Sequence, residues 1–250
     1  MKNLLSKRTL NKYSRQIILK DVGIIGQKKI FNSKILVVGA GGLGSPVIDL
    51  LVRAGVGFLG VIEDDKVDYS NLHRQTLYDY NDVGKYKSDV IKKKIKLIND
   101  KIKLKIFKER AKDKNLSKIL PKFDIIVDGT DNFPTKFLLN KYSLKYRKKL
   151  VIGAISKFDG HLFTYNFRNK KTPCLRCFFQ EDKISDDILN CEYEGILGTV
   201  AGILGTLQAN EVLKQVLNIG QNLDGKILIL DLLNLSFRIA KIRKNKKCIC

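Results

Sequence analysis

The stretch KILVVGAGGLG (residues 34–44) is a short apolar run that ends in glycines. Ile35, Leu36, Val37 and Val38 follow one another without helical periodicity, the pattern of a parallel strand covered on both faces. Gly39, Gly41 and Gly44 then give GxGxxG. The first glycines permit a tight turn and close approach of the backbone to a phosphate. The last lets helix and strand pack together. Ser45 and Pro46 suit a helix start. The free N–H groups and partial positive charge of such a start favour an anion. The helix continues over residues 49–54, Gly55 ends it, and GFLGVIE (57–63) is a second strand. That makes a βαβ unit of about 30 residues. Glu63 closes its second strand, where a carboxylate accepts hydrogen bonds from a ribose. A nucleotide with a ribose and a phosphate chain is expected; NAD and ATP both remain open.

Outward from this unit, helical spacing is expected over residues 21–31 and 86–99, and a half-buried alternating strand over 102–107. The polar segment 64–75 is a loop over the carboxyl ends of the strands, where open α/β sheets bind ligands. FDIIVD (123–128) is another buried strand, followed by GTDN (129–132), a helix over 134–148 and a strand over 150–154. From residue 160 the pattern changes. Residues 160–167, 226–232 and 236–242 look like antiparallel strands, with a cysteine-bearing loop and a long helix, 202–217, between them. The expected architecture is a Rossmann-like doubly wound, mostly parallel sheet with an antiparallel C-terminal extension. It forms one domain, 1–250, with its nucleotide-binding part at about 30–155.

The chain's 250 residues can bury a sizeable core, and its hydrophobic share of 44% and charged share of 29% are globular values. The net charge of +22 comes from lysines spread along the whole chain. No aromatic-studded basic motif accompanies it, so nucleic acid is not the expected partner. The N-terminal residues lack the apolar segment of a signal peptide. The most apolar stretch, 195–216, is interrupted by Gln208, Asn210, Glu211 and Lys214, so no membrane segment is expected and the cytoplasm is the expected location. Five cysteines, an odd number without a leader, point to metal or chemistry rather than a disulfide framework.

Three polar clusters fall at strand ends or just beyond them: 63–65, 71–75 with Lys87, and Asp131 with Asn132. Two cations, Arg74 and Lys87, beside a phosphate turn suit a triphosphate better than a nicotinamide. A carboxylate at Asp131 suits Mg²⁺, which takes oxygen ligands together with substrate phosphates.

From residue 13 to the end of the chain the sequence resembles the adenylyltransferases of the ThiF/MoeB/HesA family, relatives of ubiquitin-activating enzymes. The resemblance is carried by YSRQ (13–16), GAGGLG (39–44), SNLHRQ (70–75), Lys87, TDN (130–132), CLRC (174–177), Cys191 and GTLQA (205–209). It implies a homodimer that uses ATP and Mg²⁺ to adenylate the C-terminal glycine carboxylate of a small ubiquitin-like sulfur carrier ending in Gly-Gly. It implies that Gly42 and Glu63 sit at the nucleotide and that Asn71, Arg74, Gln75 and Lys87 bind the phosphates. It further implies that Asp131 serves Mg²⁺ and that Arg15 reaches in from the other subunit. Gly39, Gly41, Gly44, Asp65 and Asn132 complete the expected nucleotide site. Residues from about 156 to 250 are expected to bind the carrier and zinc. The carrier of thiamine synthesis and that of molybdopterin synthesis both suit this pattern, and a sulfur-donor protein is a further expected partner.

The sequence departs from the family pattern at Glu63, where Asp is usual, and at Lys136, where Arg is frequent. Cys248 and Cys250 stand where a second CxxC is expected. With Cys174 and Cys177 they make a candidate tetrahedral Cys₄ zinc site that staples the chain end to the domain. Cys191 is left over, available for a later sulfur or acyl step.

The chemistry needs no general base. A C-terminal carboxylate, with a pKa of about 3.5, is already nucleophilic at neutral pH. Position and field from Arg74, Lys87, Arg15 and the turn amides suffice. Two alternatives share some of these features. An NAD-dependent dehydrogenase would share the fingerprint, but no Tyr is followed four residues later by Lys. A tRNA-modifying relative would suit the charge, whereas SNLHRQ, TDN and the cysteine pairs favour the sulfur-carrier branch.

Overall fold

A computed structural model describes residues 6–179, 195–248 and 250. Eight strands form one sheet in the order β3-β2-β1-β4-β5-β6-β7-β8. They are β1 Lys34–Val38, β2 Phe58–Ile62, β3 Lys103–Phe107, β4 Ile125–Asp128, β5 Lys149–Ser156, β6 Asp159–Asn166, β7 Lys226–Asp231 and β8 Ser236–Lys241. The first five pair in parallel, and β5 to β8 pair antiparallel. The strand order reverses between β1 and β4, which opens a crevice at their carboxyl ends.

Each half of the sheet is as apolar as its packing demands. Leu36, Val38 and Ile126 bury on one face against Phe123, Phe137 and Leu139. Ile35, Val37 and Val127 bury on the other, against Val47, Leu51 and Val212. The helix Gly44–Ala54 crosses back from β1 to β2 and ends at Gly55, whose φ of 92° is the left-handed cap that glycine accepts. The helices Lys87–Ile98 and Phe133–Lys145 fall where helical spacing placed them. The long helix runs Gly198–Leu217, one turn earlier than its sequence pattern suggested, and lies against Gly44–Ala54, β5 and β6. Sequence reading passed over four short α-helices among the described residues: Lys7–Lys12, Ser14–Ile17, Asp113–Ile119 and Leu175–Phe178. None is long enough to show a clear period, and each is held by neighbours instead.

No described helix is long and apolar enough to cross a membrane.

Candidate active site

The glycine turn is held rigid from three sides. The N–H of Ala40 donates to Glu63 Oε2 at 2.7 Å. Its carbonyl accepts from Ser45 Oγ at 3.1 Å and from Tyr78 Oη at 2.9 Å. Gly39 has φ +82°, and a side chain there would meet the carbonyl of Gly129. A Cβ on Gly44 would collide with the carbonyl of Gly39, so both positions require glycine. The helix begins at Gly44 without a side-chain cap. Ser45 therefore does not cap it, as the sequence suggested; its hydroxyl turns back to Ala40 inside the first turn. The N–H of Ser45 is taken by the carbonyl of Gly41 at 2.9 Å and that of Val47 by Leu43 at 3.5 Å, and Pro46 has none, so an anion would meet the turn at Gly41 and Gly42 rather than the first amides of the helix.

A cavity of about 690 Å³ opens above this turn, within the range of small-molecule sites. Among the expected residues, Gly39, Gly41, Gly42, Glu63, Asp65, Arg74, Gln75, Lys87, Asp131 and Asn132 line it. Gly44, Asn71 and Arg15 do not. Gly44 lies beneath the turn. Asn71 accepts the N–H of Asp68 at 3.4 Å inside its own short helical turn. Arg15 is exposed on the helix Ser14–Ile17. Cys191 lies outside the described residues.

The cations are placed differently from one another. Lys87, at the start of Lys87–Ile98, is buried, and its Nζ lies 3.4 Å from Asp65 Oδ2. Arg74 donates from Nη1 to the carbonyl of Ser70 at 2.9 Å and to His73 Nε2 at 2.8 Å, leaving part of its fork free. Glu63 uses both carboxylate oxygens on backbone: Oε1 also accepts the N–H of Asp65 at 2.9 Å. It is thus a clasp between β2 and the turn as well as the expected ribose acceptor. Asp131 is exposed at the cavity, bonded among the described residues only to its neighbour Asn132 at 3.3 Å. Asn132 caps the helix Phe133–Lys145, its Oδ1 accepting the N–H of Thr135 at 3.0 Å.

Beneath the TDN loop lies a pair that the sequence reading did not place in the site. Asp128 ends β4 fully buried, and Lys136 contacts its Oδ2 at 3.3 Å. Lys136 also donates to the carbonyls of Thr130 and Gly153, each at 2.7 Å, so three acceptors surround its ammonium. Asp128 Oδ1 takes the N–H and hydroxyl of Thr130 at 2.9 and 2.7 Å. The charge at the end of FDIIVD was the available signal. Arg110 and Lys112 also reach the cavity from the segment after β3, and Arg110 Nε holds Asp64 Oδ2 at 3.1 Å.

The four cysteines outside the active site converge. Cys174 and Cys248 Sγ are 3.5 Å apart, as are those of Cys177 and Cys250, and all four sulfurs lie within 4.8 Å of one another. A Zn–S distance of about 2.3 Å gives a tetrahedron with edges of about 3.8 Å. The set therefore fits a closed tetrahedral site, and the CxC end supplies its two ligands as well as CxxC does. Burial pushes the Cys174 thiol up to about 11.

Fold and site together define a Rossmann-like α/β protein with a polar cavity at its topological switch point. A family model described as ThiF family matches residues 13–250, and the chain belongs to that family. It is an adenylyltransferase of that family. It is 40% identical over 246 residues to the sulfur carrier protein adenylyltransferase of Thermus thermophilus, covering 97% of this chain and 91% of the relative. It is 38% identical to the probable molybdopterin-synthase adenylyltransferase of Gracilaria tenuistipitata, covering 95% of this chain and 66% of that one. With adenylyltransferase and sulfurtransferase MOCS3 of Culex quinquefasciatus it shares 39% identity over all of this chain but only 57% of that protein. Among solved structures it is similar to Escherichia coli MccB crystallised with ATP. There the TM-score is 0.82 at 25% identity, with 96% of this chain and 74% of the other covered.

Proposed function

We propose that this protein uses ATP to adenylate the C-terminal glycine carboxylate of a small ubiquitin-like sulfur carrier, releasing pyrophosphate. The observation that carries this reading is Lys87, a buried ammonium in a cavity floored by the glycine turn and rimmed by Arg74 and Asp131. Those groups together match a phosphate chain. The Thermus relative, named for a sulfur carrier protein, supports the substrate class.

In the reaction a carboxylate oxygen attacks the α-phosphorus. One C(O)O–P bond forms and the P–O bond to the pyrophosphate breaks. The turn amides orient the phosphates, and Lys87 and Arg74 neutralise charge on the leaving group. Asp131 would hold Mg²⁺, which supplies further charge neutralisation when bound. Arg15 completes the site from a second copy. The exposed Ile18, Leu19 and Ile25 beside it, at 68, 56 and 74% exposure, are apolar surface that a homodimer would cover. The carrier docks on the antiparallel end, where the edge strand exposes Phe237 and Ile239 and the turn before it exposes Leu235. Zinc occupies the Cys₄ cluster as a staple. The attacking carboxylate needs no thiol, so Cys191 belongs to a later sulfur step.

The test is ATP–pyrophosphate exchange with a purified carrier. Exchange should require the carrier's Gly-Gly end and Mg²⁺, and should persist in Cys191→Ser. Nicotinamide binding, or exchange indifferent to the carrier's last two glycines, would overturn the proposal.

A further inference from the structure

Lys136 reaches the wall of the cavity, yet its ammonium is already saturated. Its three N–H bonds face three acceptors: the carbonyls of Thr130 and Gly153, each at 2.7 Å, and Asp128 Oδ2 at 3.3 Å. Both members of the ion pair are buried. A lysine held in this way has no donor left for a phosphate. It ties segments of the chain together instead.

The tie is centred on Thr130. Asp128 Oδ1 accepts the N–H and the hydroxyl of Thr130 at 2.9 and 2.7 Å, while Lys136 takes its carbonyl. Every polar group of Thr130 is thereby held. The carbonyl belongs to the planar peptide that enters Asp131, so the orientation of that peptide is held with it. On the other side, Asn132 caps the helix Phe133–Lys145, which carries Lys136 near its start. Gln208, wholly buried on the long helix, closes the frame from behind, its Nε2 donating to the Asp128 carbonyl at 2.8 Å. Asp131 thus sits between two fixed neighbours. Its own carboxylate is exposed at the cavity and, among the described residues, bonds to Asn132 alone. A buried ion pair adds little net stability over apolar packing. What this one supplies is direction for a single exposed carboxylate.

We propose that Lys136 is a positioning residue for the divalent-ion site: by fixing the Thr130–Asp131 peptide it holds the Asp131 carboxylate at the cavity in the orientation that receives the cation. The inference rests on the function proposed above, in which Asp131 serves Mg²⁺. Partners that orient a ligating carboxylate weigh nearly as much as the ligand, and losing one costs about tenfold to a hundredfold in metal affinity or activity.

The experiment uses the full chain with ATP and no carrier, and follows Mn²⁺ by the loss of its free paramagnetic signal against a blank of ATP alone. The parent should take up Mn²⁺ beyond the blank. Lys136→Met should bind it about tenfold to a hundredfold more weakly. The double variant Asp128→Asn with Lys136→Met removes the uncompensated charge. It should regain much of the lost melting temperature and none of the lost affinity. Leu139→Ala, on the same helix but buried in the core, is the control for instability: it should melt lower and bind Mn²⁺ like the parent. With carrier present, the Mg²⁺ needed for half-maximal pyrophosphate exchange should rise in both Lys136 variants, and the rate at saturating Mg²⁺ should return to near the parent's. Parent-like Mn²⁺ affinity in either Lys136 variant, or an equal loss in Leu139→Ala, overturns the proposal. A parent that takes up no Mn²⁺ beyond the blank sinks the Mg²⁺ reading of Asp131 itself, and the role of Lys136 with it. Should neither Lys136 variant fold, a crystal structure of the parent with ATP and Mn²⁺ decides. An ion bound by Asp131 with Lys136 still on the Thr130 carbonyl supports the assignment, and the absence of either contact overturns it.

Discussion

The carboxylate of Glu63 accepts the N–H of Ala40 at 2.7 Å and so ties the end of β2 to the middle of the phosphate turn. Its second oxygen takes the N–H of Asp65. The residue that should touch the ribose thus also fixes the shape of the loop that should touch the phosphates. Glu63→Gln presents one acceptor and one donor to two N–H groups, so one contact becomes a clash. A loss of about 1–3 kcal/mol in stability is expected, with weaker ATP binding. Denaturant unfolding and titration calorimetry check both, and parent-like stability would reduce Glu63 to a ribose contact alone.

Lys87→Met keeps the apolar stem and removes the charge. The fold should survive, because Met can fill the same buried path. Carrier-dependent pyrophosphate exchange should fall at least about a hundredfold, the usual cost of one preorganised donor. A folded variant with near-normal exchange would remove Lys87 from the phosphate site.

Asp131 is exposed and, among the described residues, its hydrogen bond comes from Asn132 alone. Asp131→Asn should therefore melt like the parent. Exchange should be lost at ordinary Mg²⁺, since the amide retains the shape but not the charge. Mg²⁺ titration of the exchange rate measures this directly.

Lys136 and Asp128 are both buried, and removing one leaves the other uncompensated. Lys136→Met should destabilise by about 3–5 kcal/mol. Adding Asp128→Asn should recover part of that loss, and a double-mutant cycle of urea midpoints reports the coupling. Strict additivity would mean the pair does not act as a unit.

His161 titrates low because it is partly buried, with Asp159 opposing the shift. The neutral imidazole is thus favoured in the folded state, and the unfolded chain binds more protons between the two pKa values. Stability from this group is fully present above about pH 6.5. It is lost as the pH falls through the lower folded value. His161→Gln should flatten that part of the stability–pH curve, and an unchanged slope between pH 7 and 5 would place the titration elsewhere.

What the sequence determined by itself was local. The run 34–44 dictated strand, turn and helix, because apolar continuity, three glycines and the following helix period all act within a few residues. The parallel order followed, since βαβ units admit one hand of connection. The same holds for the TDN loop at the end of β4. The tertiary structure decided how closely side chains meet, including the four cysteines that the sequence had grouped as candidates. Cys174 and Cys248 are 74 residues apart along the chain, and their sulfurs stand 3.5 Å apart because the chain end returns to the helix Leu175–Phe178. The Glu63 clasp joins residues 23 apart, and Lys136 reaches Gly153 across 17. Such pairings arise from where packed strands and helices end in space. Sequence periodicity carries the direction of a side chain, but not the distance to a partner on another element.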